Sequence, residues 1–315
     1  MRIMARILTV TLNTALDLTH HVPRLVPHTS HRVTRVTERP GGKGLNVARV
    51  LAALGHDTVV TGFAGGPTGE VLRALLAAER PVDALVPIAG NTRRTLAVVD
   101  ESTGDTTQLN EPGPTVSPAE WESFLLSYES LLAGASAVAL CGSLPPGIHV
   151  GAYADLVRLA RGAGVPVLLD TSGEPLLRGI AARPDLVKPN ADELFQLTGS
   201  RDAWKASAEA RRKGARAVVA SLGPDGILAT TDEGVWQAAP PTLIRGNPTG
   251  AGDSAVAGLL SGLVSGLPWP SRLAQAVALS AATVAAPAAG EFSPSVYESL
   301  LPEVKVTEHG GTAPE

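Results

Sequence analysis

The run Gly250-Ala251-Gly252-Asp253, hereafter the GAGD run, holds the residues best suited to chemistry, and it leads directly into the apolar segment 255–260. Glycines let the backbone turn tightly and approach a ligand closely, and the helix expected after them would point its unpaired N–H groups at that ligand. An aspartate beside such an anion-binding site can take a proton. Phosphoryl transfer to a hydroxyl needs both features, because donors must hold the moving phosphate and a carboxylate must accept the alcohol proton. Short Gly-Ala-Gly runs also open many ordinary helices, so this run alone does not decide between the two interpretations.

A second glycine-rich run, Pro-Gly-Gly-Lys-Gly-Leu-Asn at residues 40–46, precedes a helical pattern. Its glycines would allow backbone contact with a ligand, Lys43 adds a positive charge, and Asn46 falls on the first helical turn, facing back to the loop. A P-loop would need a Lys-Ser/Thr pair after four intervening residues, and this run has none. It therefore predicts either a ligand-binding loop or a plain turn before a surface helix.

The elements that must position these runs alternate between strand and helix along most of the chain. Strands are predicted over residues 6–12, 58–63, 135–140, 165–169, 186–188, 217–221 and 227–230. Helices are predicted over residues 44–54, 70–78, 152–161, 191–197 and 203–213, and another after Ser117, which has Glu120 in the capping-box position. This alternation favours an α/β fold with a mostly parallel sheet and helices on both faces. Ligands of such sheets bind outside the carboxyl ends of the strands, where polar loops of this chain also fall.

Two polar regions do not fit a buried parallel sheet. Residues 15–38 and 92–110 alternate weakly and predict exposed strands, which we interpret as one β-sheet lid contributed by two parts of the chain. The first region contains His20, His21, His28 and His31. Their spacing matches no helical pair and no cysteine assists them, so a solvated lid face is favoured over a metal site.

Charge and composition exclude several classes of function. The formal net charge of −4 gives no electrostatic argument for binding nucleic acid or an anionic membrane, so any phosphate site must be local. The single cysteine, Cys141, excludes an internal disulfide, and with no signal peptide visible we expect a cytoplasmic protein. Cys141 ends a predicted buried strand and is interpreted as structural. The apolar stretches 255–264 and 274–289 are predicted to be buried helices rather than membrane spans.

The two glycine-rich runs, in this order, resemble the ribokinase or PfkB family of carbohydrate kinases, and the resemblance extends from Ile7 to about Leu301. Four further stretches are similar to the branch of 1-phosphofructokinases and tagatose-6-phosphate kinases, namely residues 11–17, 110–114, 142–147 and 169–174. The resemblance implies a three-layer ribokinase-like α/β fold with a central, mostly parallel sheet and the small β-sheet lid. We therefore expect one kinase domain over residues 1–305 and a disordered tail over residues 306–315.

For the sugar side of the site, the resemblance implies seven substrate-binding residues: Asp17, Gly41, Gly42, Lys43, Asn46, Arg93 and Ser143. Asp17 would accept hydrogen bonds from sugar hydroxyls. Arg93 stands where this branch keeps an arginine for the phosphate of the substrate, and a planar guanidinium suits bidentate phosphate binding. Lys43 is the second candidate for that phosphate, and Arg94 would point the other way on a strand. A loop carboxylate at Asp17 and a solvated strand residue at Arg93 are the alternatives.

For the nucleotide side, the resemblance implies that the backbone of residues 250–252 holds the γ-phosphate while Asp253 is the catalytic base. Asn190 and Glu193 match an Asn-x-x-Glu element that organises Mg²⁺ and its waters, although a plain helix N-cap would use the same two residues. ATP contacts are implied at Lys188, Asn190, Ser221, Gly223, Gly226, Val277 and Ala281. For Val277 and Ala281, plain helix packing is the alternative.

Two departures from the branch bear on this interpretation. Pro248 stands just before the GAGD run, where it removes one N–H group and fixes φ, and it could perturb the approach to the anion-binding site. Ser30 lies where a relative that uses fructose 6-phosphate carries lysine, which weakens fructose 6-phosphate as the expected substrate.

The resemblance thus implies a kinase that uses ATP and Mg²⁺, with conversion of fructose 1-phosphate to fructose 1,6-bisphosphate as the first candidate reaction. Tagatose 6-phosphate and fructose 6-phosphate are alternative substrates, and an unphosphorylated sugar or nucleoside is a further one. A catalytically inactive sugar-phosphate or nucleotide sensor is an alternative of another class. Neither nucleic acid nor membrane is an expected partner, whereas a lid with an exposed strand edge favours a homodimer.

Overall fold

The computed structural model describes residues 5–242, 244, 246–286 and 288–309, and this part of the chain forms two sheets with helices packed around the larger one. The strands are β1 Arg6–Thr11, β2 Ala15–Val22, β3 Arg35–Gly41, β4 Asp57–Gly65, β5 Val82–Asp83, β6 Val86–Ile88, β7 Arg93–Asp100, β8 Thr106–Asn110, β9 Ala137–Cys141, β10 Val167–Asp170, β11 Leu186–Val187, β12 Ala217–Ser221, β13 Ile227–Thr230, β14 Val235–Ala239 and β15 Lys305–His309. The helices are α1 Lys43–Ala53, α2 Gly66–Leu76, α3 Pro118–Leu132, α4 Ala152–Gly162, α5 Gly173–Ala181, α6 Ala191–Thr198, α7 Ala203–Arg212, α8 Ala251–Val264, α9 Trp269–Val284 and α10 Pro294–Leu300.

The larger sheet has eleven strands within the described residues, in the order β15-β14-β13-β12-β11-β10-β9-β1-β4-β5, with β6 pairing to β4. Neighbours from β12 through to β5 run parallel. The strands from β12 to β15 are antiparallel neighbours at one edge. Because the parallel strands all end at the same side of the sheet, the loops that follow β1, β9, β10 and β11 meet there.

Two hydrophobic cores, one on each face, make the structure three-layered. Alternate residues of β1 point to opposite faces, so Leu8 and Val10 join one core while Ile7 joins the other. The first core packs against α3 to α7, and the second packs against α1, α8 and α9. The predicted α/β class with a central, mostly parallel sheet is therefore confirmed.

The second sheet is small and separate, with the order β3-β2-β7-β8, and it comes from the two regions that the sequence singled out. Strands β2 and β7 pair in parallel, and the outer pairs are antiparallel. In this register Asp17 lies beside Arg39 and Thr95, so these three side chains share one face. Their neighbours along the strands, such as Leu18 and Leu96, point to the opposite face.

Several elements differ from the prediction. The disordered tail expected from residue 306 is wrong for residues 306–309, because these pair with β14 as part of β15, whereas residues 310–315 lie outside the described residues. Helices α5 and α10 and the strands β5, β6, β14 and β15 were not predicted. The strands β5 and β6 and the helix α10 are too short to show a clear periodic pattern. Helix α5 does carry such a pattern, because Leu176 and Ile180 lie at helical spacing on its buried face. Among the described residues, every helix is too short or too polar to cross a bilayer.

Candidate active site

The GAGD run forms the start of α8, as the sequence predicts. Gly250 precedes the helix with a φ of 84°, a left-handed conformation that glycine adopts without strain. A Cβ at this position would also lie 2.9 Å from Cα of Ala289. The N–H of Ala251 donates to the carbonyl of Pro248 at 3.1 Å. Pro248 thus helps to close the turn, and it engages one backbone donor that the sequence had assigned to the phosphate.

Asp253 lies in the first turn of α8 and is buried, with 6% of its surface exposed. The side-chain amide of Asn46, on α1, donates through Nδ2 to Oδ2 of Asp253 at 2.8 Å. Burial raises the pKa of Asp253 to about 6, and the nearby charge of Asp170 adds to this effect. Lys43, the hydrogen bond from Asn46 and Lys188 act in the opposite direction. The carboxyl group is therefore held against α1, which begins within the second glycine-rich run, and it can take or release a proton near neutral pH.

Asp170 is a buried carboxylate at the centre of the site, and no role was predicted for it. It ends β10, and its Oδ1 lies 3.4 Å from Nζ of Lys43 and 3.6 Å from Nζ of Lys188. The available signal was an aspartate at the carboxyl end of a buried strand, inside a stretch that resembles the kinase family. Because it is only 1% exposed, it needs both cations as partners, and it fixes both of them beside the start of α8.

The two lysines occupy different positions around this carboxylate. Lys43 is the first residue of α1; burial alone would lower its pKa, but attraction to Asp170 and Asp253 raises it overall, so it stays charged. Lys188, which follows β11, is buried, and a Cβ at Gly252 would lie 3.6 Å from its Nζ. Both ammonium groups therefore lie close to the predicted γ-phosphate position.

Among the predicted sugar contacts, Asp17 and the glycine-rich loop at residues 40–46 are in direct contact. A Cβ at Gly41 would lie 2.1 Å from Cγ of Asp17, so only glycine leaves room for this carboxylate. Burial raises the pKa of Asp17, while a hydrogen bond from Thr95 and the charges of Arg49, Arg93 and Arg39 lower it. The carboxylate therefore lies near three arginines and packs against Gly41, in the loop that carries Lys43.

Arg93 and Ser143 are linked through Asn13, a buried residue that the sequence did not single out. Arg93 Nε donates to the carbonyl of Asn13 at 3.2 Å, and its Nη1 donates to the carbonyl of Glu111 at 3.2 Å. The amide of Asn13 donates to Oγ of Ser143 at 3.2 Å. Arg94 instead forms an exposed ion pair with Glu111 on the other side of the strand. Asn13 therefore ties β1 to both predicted substrate contacts.

Six of the seven predicted nucleotide contacts line a cavity of about 670 Å³ beside the start of α8, and Lys188 is not among the lining residues. The cavity is lined by Asn190, Ser221, Gly223, Gly226, Val277 and Ala281, and on its inner side by Ala251 and Gly252. It is large enough for a nucleotide, since ligand pockets commonly measure about 300–1,000 Å³. Two helices, α8 and α9, form one wall, and the turn after β12 forms the other.

Asn190 and Glu193 form the N-cap of α6. Asn190 Oδ1 accepts from the N–H of Glu193 at 2.8 Å, and Glu193 Oε2 accepts from the N–H of Asn190 at 2.8 Å. This is the capping box that the sequence allowed as an alternative. The negative charge of Glu193 also raises the pKa of Lys43, so the two side chains lie within electrostatic reach of each other. In the described part of the chain, no three His, Cys, Asp or Glu side chains are grouped to hold a metal ion directly.

Comparison with known proteins gives a consistent result over almost the full length. The pattern described as "pfkB family carbohydrate kinase" matches residues 7–296. The chain is 40% identical over 284 residues to a protein named 1-phosphofructokinase from Rhodobacter capsulatus, covering 88% of this chain and 90% of that one. It is 32% identical over 314 residues to a tagatose-6-phosphate kinase from Staphylococcus epidermidis, covering 96% and 99%. A crystal structure of phosphofructokinase-2 from Escherichia coli in complex with potassium superposes with a TM-score of 0.88 at 32% identity, over 95% of this chain and 99% of that one.

Proposed function

The chain belongs to the pfkB family of carbohydrate kinases, and we propose that it transfers the γ-phosphate of ATP to the free terminal hydroxyl of fructose 1-phosphate, giving fructose 1,6-bisphosphate and ADP. The observation that carries this proposal is the position of Asp253. It is a buried carboxylate at a helix start, between the sugar-side residue Asn46 and the cavity assigned to ATP. A base in this position lies between the two substrates of a phosphoryl transfer.

In the proposed reaction, Asp253 accepts the proton of the sugar hydroxyl while the hydroxyl oxygen attacks the γ-phosphorus and ADP leaves. A pKa of about 6 suits this role, because the carboxylate is mostly ionised at neutral pH and still basic enough to take a proton. The hydrogen bond from Asn46 occupies Oδ2, so we assign Oδ1 to the hydroxyl.

Charge on the transferring group would be stabilised by three sources that converge near the start of α8. These are the backbone N–H groups of the first helical turn, Lys43 and Lys188. Asp170 keeps both lysines in place without neutralising both charges. When bound, Mg²⁺ would screen the phosphates of ATP, and Asn190 and Glu193, which offer the oxygen donors this ion prefers, are the residues we assign to it through water.

The choice of a phosphorylated ketohexose rests on Arg93. It lies at the start of β7 near Asp17, and a neutral sugar would not need its guanidinium group. The greater identity to the relative named 1-phosphofructokinase, 40% against 32%, favours fructose 1-phosphate over tagatose 6-phosphate.

A substrate panel tests the proposal. ADP release is measured with purified protein, ATP and Mg²⁺, using fructose 1-phosphate, tagatose 6-phosphate, fructose 6-phosphate and free fructose. We expect the highest kcat/KM with fructose 1-phosphate. A higher kcat/KM with another sugar phosphate would change the assigned substrate but would still support a sugar-phosphate kinase. Binding of ATP and sugar phosphates without any turnover would support the inactive sensor and contradict the proposal.

We also propose that the protein forms a homodimer through the outer face of the small sheet. Leu18, Leu96 and Leu109 lie side by side on this face, and Val36 follows on the same side of β3. Leu109 and Val36 are 58% and 52% exposed. An apolar face on a sheet this small is best covered by a second copy. Light scattering should give a dimer that Leu109→Asp weakens, and a monomer at micromolar concentration would contradict this proposal.

A further inference from the structure

Four side chains form a continuous line from the surface of α2 to the proposed base. Glu79, just after α2, accepts through Oε2 from Nε of Arg49 at 2.7 Å. Arg49, on α1, donates through Nη1 to Oδ1 of Asn46 at 3.0 Å. Asn46 donates through Nδ2 to Oδ2 of Asp253 at 2.8 Å. Every link is at hydrogen-bonding distance.

The guanidinium group decides which way the Asn46 amide points. An arginine offers only donors, so the atom of Asn46 that meets Arg49 must be its oxygen. The amide nitrogen is then turned toward Asp253. If the amide were reversed, its NH₂ would face the guanidinium and its oxygen would face the carboxylate, and both contacts would be repulsive.

Arg49 itself is held rigidly. Its side chain is only 10% exposed, and Nη2 donates to the carbonyl of Pro40 in addition to the contact with Glu79. The loop after α9 closes over the pair, because a Cβ at Gly290 would lie 3.0 Å from Oδ1 of Asn46 and 3.1 Å from Nη1 of Arg49. The orientation of the amide is therefore fixed before any substrate binds.

We infer that Arg49 is a positioning residue for the reaction: it orients the amide of Asn46 so that Oδ2 of Asp253 is held and Oδ1 is presented to the sugar hydroxyl. This inference rests on the proposed function of Asp253 as the base. Arg49 touches neither the carboxylate nor the reacting atoms in the described contacts, so it acts through Asn46. Its substitution should therefore change the chemistry step more than substrate binding.

The charged and titratable groups around Asp253 come from several elements. Lys43 on α1, Asp170 at the end of β10 and Lys188 after β11 act on its carboxyl group, and the thiol of Cys141 at the end of β9 is also influenced by it. Because the hydrogen bonds of Arg49 go to Glu79, Asn46 and Pro40, we expect these groups to stay in place when Arg49 is changed. Arg49 does act on Asp17, where its charge lowers the pKa, so an effect through Asp17 must be separated from one through Asn46.

The experiment is the pH dependence of kcat at saturating substrates. In Arg49→Gln, Asp253 loses an oriented donor, and the acidic limb should move upward by about one pH unit, the size of one hydrogen bond to a charged group. For a base that titrates near pH 6, kcat then falls about fivefold at pH 6 and about twofold at pH 7, and KM for ATP changes by less than about twofold. Arg49→Lys, which keeps a donor and the charge, should restore part of the shift.

Two controls separate an effect of Arg49 through Asn46 from an effect through Asp17. Arg80→Gln removes an exposed arginine that lines the same surface cavity as Arg49 and Glu79. Arg80 donates to the carbonyl of Ala52, and its substitution should leave the profile unchanged. In an Asn46→Ala background, Arg49→Gln should add no further shift. A shift that persists there would show action through Asp17 and would overturn the inference, as would an unmoved limb in Arg49→Gln.

Folding and the proposed function are checked separately. If Arg49→Gln does not fold because Glu79 is left unpaired, the double variant Arg49→Gln/Glu79→Gln removes that charge and should show the same shift. Full turnover by Asp253→Asn would refute Asp253 as the base. An inactive Asp253→Asn together with an unmoved profile in Arg49→Gln would refute only the positioning role.

Discussion

Replacing Asp253 by asparagine should stabilise the protein at neutral pH while it removes most of the activity. Burial is the largest cause that raises the pKa of Asp253 from 3.8 to about 6. Each pKa unit corresponds to about 1.4 kcal/mol, so keeping this carboxylate ionised in the folded state costs about 3 kcal/mol. Asparagine has nearly the same shape, carries no charge and can still accept the hydrogen bond from Asn46.

The pH dependence of this gain follows from the raised pKa. Well below pH 4 the carboxyl group is protonated in both states and contributes no penalty. As the pH rises from about 4 to 6, the unfolded state releases its proton first, so the wild type loses stability, and the loss is complete above pH 6. Asp253→Asn should therefore gain about 3 kcal/mol at pH 8 and about half of that at pH 5.

Urea unfolding at pH 8 and pH 5 measures the gain, and the melting temperature at pH 8 should rise by about 4–5 °C for a chain of this length. Asp57→Asn, an exposed aspartate at the start of β4, is the matched control and should change stability by less than about 0.5 kcal/mol. The rate of ADP formation by Asp253→Asn should fall by about 10²–10⁴. An Asp253→Asn variant no more stable than wild type at pH 8, or equally stabilised at pH 5, would refute burial as the cause of the raised pKa.

Three further predictions concern the wild type and the sugar side. Below pH 6, kcat should fall about tenfold per pH unit because Asp253 must be ionised, and a flat profile down to pH 5 would contradict this. Arg93→Ala should raise KM for the sugar phosphate about tenfold or more with KM for ATP nearly unchanged; an equal loss for both would exclude the phosphate role. Gly41→Ala should lower kcat/KM about 100-fold, because its Cβ would lie 2.1 Å from Cγ of Asp17. Gly162→Ala, with no atom within 4 Å of its Cβ, is the control and should keep wild-type kinetics.

The sequence identified the two glycine-rich runs and the order of the main elements because these features are local. Gly250 must adopt a left-handed turn, and Gly41 must leave room for a carboxylate. Only glycine meets such demands easily, so these positions can be recognised from the residue type alone. Periodic apolar patterns likewise predicted α1, α6 and α7 to within a residue or two. Short elements such as β5 and α10 have no such pattern and were missed.

The function of Asn190 and Glu193 shows the limit of a local motif. The same two residues fit a metal-organising element and a capping box, and the structure contains the capping box. A helix N-cap and a water-mediated Mg²⁺ contact use the same oxygens, so sequence spacing cannot separate them. Only the structure bears on whether the two residues also serve a metal ion. It shows that Asn190 lines the cavity and that Glu193 acts electrostatically on Lys43.

By itself, the sequence determined the family, the α/β architecture, and Asp253 as a carboxylate at a helix start. Only the tertiary structure brought Asp170 between Lys43 and Lys188, and only it joined Arg49 and Asn46 to Asp253. Lys43, Asn46 and Arg49 share α1, whereas Asp170, Lys188 and Asp253 come from three distant parts of the chain. The two sets meet because parallel strands end at one side of the sheet. A buried charge needs charged or hydrogen-bonding partners at this side of the sheet. The residue types along the chain do not show which side chains will lie within reach of it.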